Sequence, residues 1–225
     1  MEHMRTTWDA MLLAAATYEG DIKSSSGLVG GDGQRMEEYT HNTGKESLCG
    51  EYVDECIAGA LQMGESNACM KRIVAAPTAG SCGVLPAVLL PLARVGEADE
   101  DAICEALYVA AGFGQVIAAR ATLAGAEGGC QAEVGAASAM AAAALCHLKG
   151  GTPEQCAAAA AMALGNLLGH QILIPMVDIG LAQLAMHSAM ETASCKDAEY
   201  MAKAVAEFYN TPISQPVDGE WKLGL

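Results

Sequence analysis

The chain has 225 residues, of which 52% are apolar, 17% charged and only 4% aromatic, and its formal net charge is −15. That length suits one or at most two domains with a sizeable core, and the acidic balance excludes the basic face that nucleic acid or an anionic membrane surface requires. With so few aromatic residues the core must be built from Ala, Leu, Val, Ile and Met. Such side chains let helix backbones approach closely, so packed helices are expected rather than a sandwich of strands.

The N-terminus, MEHMRTTWDAML, lacks a basic start followed by a long apolar run, so no signal peptide is expected and the location expected is the cytoplasm. TTWDAMLLAAATY carries apolar residues at helical spacing, and the polar loop EGDIKSSSGLVGGDGQR follows it. KESLCGEYVDECIAGALQMGESNACMKRIVAA reads as one or two amphipathic helices leading into VAAPTAGSCGVLPAVLLP, where a polar, glycine-bearing hinge separates two apolar blocks. DEDAICEALYVAAGFGQVIAARATLAG places acids in its first turn, as the helix dipole favours. The alanine-rich CQAEVGAASAMAAAALCHLKGG stops at Gly150-Gly151. TPEQ then supplies Thr152 as N-cap, Pro153 at the first helical position and Gln155 to complete a capping box.

Residues 156–186 come nearest to a membrane span, but they contain Asn166, His170, Gln171, Pro175 and Asp178, which suits buried helices better. Strand-type alternation is hardly visible. The expected fold is therefore a single all-α domain over 1–225, an Ala-rich helical bundle with polar Gly/Ser loops at helix N-termini.

The nine cysteines form no C-x-x-C pair and no zinc-ribbon spacing, so neither a disulfide framework nor a structural zinc site is indicated. Most fit the ordinary fate of small buried hydrophobes. Three loop-to-helix junctions stand out as chemistry. In KSSSGLVGGD, glycines at 27, 30 and 31 permit close backbone approach, and Ser24, Ser25 and Ser26 add donors that can cradle a carboxylate or phosphate, although the same composition also makes an ordinary surface loop. At Pro77–Gly83, Thr78, Gly80 and Ser81 would set free N–H groups and hydroxyls at a helix start, an anion seat. In AGAEGGCQAEVGAASAM, Glu127, Cys130 and Glu133 cluster about two glycines, which suits a metal site or an acid/base pair.

VAAPTAGSCGVLPAVL, AGAEGGCQAEVGAASAMAAAAL, GGTPEQ and NLLG, together with SSSGLVGGD, resemble the α chain of the bacterial iron–sulfur L-serine dehydratases over about residues 5–169. The resemblance implies a helical catalytic domain with a [4Fe–4S] cluster, a reaction giving pyruvate and ammonia from serine, and substrate held by Ser25, Ser26, Gly31, Asp32, Thr78, Gly80 and Ser81. Cys130 matches the family's first cluster ligand. After NLLG the family continues with a Cys-Asp-Pro turn and a later Val-Pro-Cys; here no cysteine occurs between 156 and 195, and Arg120 stands where the family has Asn.

A cubane needs an anionic ligand on each protein-bound iron. His170, Asp178, His187 and Cys195 lie in the altered segment, and their chemistry would suit a single iron or zinc ion instead. Two functions follow. One is a lyase subunit eliminating water or another β-substituent from a small amino acid, with Glu127 or Glu133 as its acid/base group. The other is a cluster-less, non-catalytic chain that binds a small molecule or a partner. A β-type partner chain or a homo-oligomer fits either.

Overall fold

The computed structural model describes residues 2–42, 47, 49–168 and four dipeptides at 183–184, 192–193, 213–214 and 222–223. The chain divides into two compact units, residues 1–176 and 177–225. In the second, β1 (Gln183–Leu184) pairs antiparallel with β2 (Thr192–Ala193), and β3 (Ile213–Ser214) with β4 (Lys222–Leu223). The first is all-α, as expected, with seven helices and one 3-10 turn among its described residues.

α1 (Glu2–Ala16) buries Trp8, Met11 and Ala14, a three-residue spacing that puts them on one face. α5 (Glu100–Arg120) buries Ile103, Leu107, Ala110 and Gly114 along a second stripe, and starts where the Asp99 carboxylate accepts the Ala102 N–H at 2.8 Å. Arg120, the last residue of α5, places its charge at the negative end of the helix dipole. α4 (Val84–Arg94) adds Leu85, Leu89 and Leu90, all 5% exposed or less. These faces meet in one core, where each fully buried Leu or Ile contributes about 1.5–3 kcal/mol.

α6 (Gly125–Leu148) is the central element, packing against α4, α5 and α7 (Pro153–Leu168). Small residues set those approaches. A Cβ on Gly114 would lie 2.9 Å from Met140 Sδ, and Ala139 and Ala143 of α6 form a seam with Cys156 and Ala160 of α7. The expected capping box opens α7: the Gln155 side chain accepts the Thr152 N–H at 2.8 Å, and the Thr152 hydroxyl accepts the Gln155 N–H at 3.3 Å.

The stretch read as one or two helices is one helix within its described part, α3 (Glu51–Ala68), as that reading allows, and one element differs from the sequence reading. The stretch DGQRMEEYTHN, part of which read as polar loop, is helix α2 (Asp32–Asn42), which has hardly any apolar face to betray it and is held by α3 from outside.

Candidate active site

The polar hinge folds as an extended Thr78 followed by the 3-10 turn Ala79–Ser81, and α4 starts three residues later. The Thr78 hydroxyl donates to Glu133 Oε1, and Thr78 Oγ1 and Ser81 Oγ lie 2.9 Å apart. Thr78 has one proton, so Ser81 is the donor in the second bond. Ser81 is 2% exposed and Glu133 5%. A Cβ on Gly80 would fall 2.7–2.8 Å from the Glu133 carboxylate, and one on Gly125 would fall 2.7 Å from its Oε2. The carboxylate is thus wedged between two glycines. The sequence leads one to expect open N–H groups here; the junction instead faces a buried carboxylate that the chain itself supplies.

Glu133 and Cys130 sit three residues apart on α6, which puts them on one helical face. The break before them is Gly129, whose φ of 79° and ψ of 164° interrupt the helix after a single turn. At that φ a side chain is strained, so glycine is the natural residue. Cys130 opens the long part of α6, half-buried, with its Cα 4.0 Å from the Cβ position of Gly125. Glu127 lies on the other side of the break. It is exposed, and its Oε2 accepts the Thr122 hydroxyl at 2.6 Å. The two candidate acids therefore occupy opposite environments, and only Glu133 shares a site with Thr78, Gly80 and Ser81.

The serine loop is built around Ser24, which is 6% exposed. Its N–H donates to the Val29 carbonyl at 2.8 Å, and its hydroxyl accepts the Val29 N–H at 3.2 Å. Ser25 and Ser26 are exposed on the turn this creates, with Ser26 Oγ 3.0 Å from Ser24 Oγ. Gly30 and Gly31 follow at φ 135° and 90°, and a Cβ on Gly30 would collide with the Ile22 carbonyl. Asp32 is exposed at the start of α2, its carboxylate paired with Arg35.

Sequence reasoning missed Glu65. It is 6% exposed, and its Oε1 accepts the N–H groups of Asp32 at 2.6 Å and Gly33 at 3.2 Å while Oε2 accepts the Tyr18 hydroxyl at 2.5 Å. Two residues on, Asn67 Nδ2 donates to the Ala79 carbonyl at 3.1 Å. The signal was present: Ala58, Gln62 and Glu65 follow the buried stripe of α3, and a carboxylate on such a stripe needs partners.

Burial pushes the Cys82 thiol up to about 11, with the negative charge of Glu133 adding to the effect. It stays protonated near neutrality and contacts the Met63 carbonyl at 3.8 Å, so it is a packing thiol despite its place in the hinge. A cleft of about 460 Å³ lies between Tyr52, Glu55, Leu92, Glu97 and Lys149, at the far end of α3 from Glu65 and about 20 Å from it along the helix axis. None of the sequence-predicted residues lines it.

His170, Asp178, His187 and Cys195 lie outside the described residues. Among the described residues no group of three or more His, Cys, Asp or Glu could hold a metal ion. A cubane on three protein thiolates therefore does not fit the described residues, which bring to this place Cys130 and the buried, protonated Cys82 of the hinge.

A family model described as serine dehydratase alpha chain matches residues 1–170. The chain belongs to that family. Its relatives include a probable L-serine dehydratase alpha chain of Bacillus subtilis, 37% identical over 215 residues, which are 95% of this chain and 70% of that one. The L-serine dehydratase alpha chain of Peptoniphilus asaccharolyticus is 47% identical over 142 residues, 63% of this chain and 48% of that one. The L-serine dehydratase 2 of Escherichia coli is 34% identical over 176 residues, 71% of this chain and 38% of the enzyme. This chain thus spans about half the length of the Peptoniphilus relative and less of the Escherichia coli one.

A second model, aminopeptidase I zinc metalloprotease (M18), matches only residues 154–209. No solved structure matches the chain. Membership of the serine dehydratase alpha chain family supports a lyase of the ammonia-lyase type. The family is generally iron–sulfur dependent, and its alpha-chain naming implies a beta partner.

Proposed function

We propose that this chain is the catalytic subunit of an L-serine dehydratase-type lyase, converting a small β-hydroxy amino acid to its 2-oxo acid and ammonia. The observation that carries the reading is the buried Glu133 carboxylate, held by the Thr78 hydroxyl between Gly80 and Gly125 on the helical face that also bears Cys130. The Thr78 hydroxyl already binds one carboxylate with Ser81 bonded to it, and hydroxyls of this kind suit the carboxylate of an amino acid as well. Ser25, Ser26, Gly31 and Asp32 supply the second polar loop.

In this reading Glu133 takes the proton from Cα, and the β-hydroxyl leaves with a proton as water. The resulting enamine tautomerises to the imine, and water releases ammonia and the 2-oxo acid. Glu133 serves better than Glu127 because a buried carboxylate acts through a low local dielectric, whereas an exposed one is screened. A metal centre anchored on Cys130 belongs to the proposal, either the family's [4Fe–4S] cluster or a single iron or zinc ion. A cluster would need further thiolates from outside the described residues or from a beta-type partner.

The test is anaerobic purification, with and without the beta-type partner, followed by iron, zinc and sulfide analysis and a pyruvate assay with L-serine. Turnover should fall by about 10²–10⁴ in Glu133→Gln and be lost in Cys130→Ala together with the metal. Absence of bound metal and of turnover under both conditions overturns the reading. The second reading, a non-catalytic small-molecule-binding or partner subunit, is favoured by one observation: among the described residues no group of three or more His, Cys, Asp or Glu could hold a metal ion. L-serine binding by calorimetry without turnover is its expected signature.

A further inference from the structure

The last turn of α3 lies between the two polar loops and bonds to both. Glu65 spends both carboxylate oxygens on the first loop's end: Oε1 on the Asp32 and Gly33 N–H groups, Oε2 on the Tyr18 hydroxyl. Tyr18 in turn accepts the Gln34 N–H at 3.1 Å, so three successive backbone donors at the start of α2 are satisfied by one acid and one phenol. Gly33 permits this closeness, since a Cβ there would lie 2.9 Å from the Gln62 N and 3.0 Å from the Tyr18 hydroxyl. Burial and the hydrogen bond to Glu65 hold the Tyr18 hydroxyl well above its usual range, which keeps it a donor. On the same turn, Asn67 holds the Ala79 carbonyl of the second loop, and the Met63 carbonyl receives the Cys82 thiol.

A helix N-terminus of polar sequence does not hold itself in place. What fixes Gly31 and Asp32, and hence the exit of the serine loop, is a charged cap borrowed from another helix. We infer that Glu65, locked by Tyr18, is the positioning residue that sets the serine loop relative to the Thr78–Ser81 loop, so that both reach one amino-acid head group. Glu65 does not touch substrate in this account; it acts through Asp32 and Gly33. The inference rests on the dehydratase reading only for what the two loops hold.

The experiment uses the full chain with its partner if one co-purifies, and compares Glu65→Ala, Glu65→Gln and Tyr18→Phe. Amide exchange at Asp32 and Gly33 should accelerate at least about tenfold in Glu65→Ala, less in Tyr18→Phe, and least in Glu65→Gln, whose amide oxygen still accepts the two N–H groups. The KM for L-serine should rise at least about tenfold in Glu65→Ala with kcat within about twofold, because loop order contributes to binding before chemistry. Should Glu65→Ala fail to fold, Tyr18→Phe removes one hydroxyl and decides alone. Unchanged exchange at both amides overturns the inference, as does faster exchange with an unaltered KM. If the wild-type protein turns over no serine, the dehydratase reading fails, and L-serine binding by calorimetry with the same exchange data still decides the positioning role.

Discussion

Gly80→Ala tests whether the Thr78 loop and Glu133 are as close as described. The added methyl would lie 2.7–2.8 Å from Cδ, Oε1 and Oε2 of Glu133, against contacts of about 3.5–4.0 Å for comfortable packing. The carboxylate has little room to retreat, because Gly125 closes on its other side. Relief therefore comes by breaking the Thr78 hydrogen bond. A bond to a charged group is worth about 1.5–3 kcal/mol, which is about tenfold to a hundredfold in any equilibrium that depends on it.

Urea denaturation should show that loss in stability, and kcat/KM for L-serine should fall by at least the same factor. The decisive arm is a double-mutant cycle. In a Glu133→Ala background the methyl has nothing to strike, so Gly80→Ala should cost close to nothing. An equal cost in both backgrounds, or a cost under about 0.5 kcal/mol in the wild type, refutes the geometry.

Leu89→Ala, at a fully buried position of the core, should cost about 2–5 kcal/mol in urea denaturation without altering the helical circular dichroism of the folded state. Gly129→Ala should cost about 1–2 kcal/mol, since its φ of 79° suits only glycine although the space around its Cβ is open; turnover should fall further than stability, because the break sets the direction of Cys130. Burial raises the thiols of Cys56, Cys82 and Cys104, and burial with Glu65 raises the hydroxyl of Tyr18. Each is held neutral in the folded state, so its contribution is complete below the unfolded value, near 9 for a thiol, and is lost as pH rises through the folded one, about 11 for Cys82. The urea midpoint should thus decline between pH 9 and 11, and a thiol reagent at pH 8 should label exposed Cys49 well before Cys82.

The sequence is most legible where local chemistry decides structure. Thr152 with Gln155 spells a capping box, acids gather at the start of α5, and the alanine seam of α6 has only one sensible use. All-α architecture and the family follow from such stretches. What stays hidden is set by partners distant in the chain. α2 has too few apolar residues to announce a helix, and it forms against α3 with Glu65 as its cap from 32 residues away. Ser24, Ser25 and Ser26 attract notice together by composition, but only the fold decides which of three adjacent hydroxyls turns inward, and Ser24 is the one that organises the loop. Likewise Glu127 and Glu133 look equivalent in AGAEGGCQAEVG, yet in the fold one faces solvent and the other is buried.

That last separation bears on chemistry as much as on fold. A helix uninterrupted from 125 to 133 would set Glu127 and Glu133 six residues apart, about 600° around the axis and so on different faces, but would leave the Cys130 side chain to follow the same spiral. The break resets the helix at Cys130, which shares its new first turn with Glu133, the residue that meets the Thr78 hydroxyl. Thiol and acid are coupled in position by one helical turn, and the hydroxyl pair is fixed opposite them by the end of α3. A change at Gly129 therefore acts on both groups together, whereas a change at Glu65 acts on the serine loop through Asp32 and Gly33. Comparing the two on metal retention separates the halves of the site: loss of metal belongs to the first and weakened serine binding to the second.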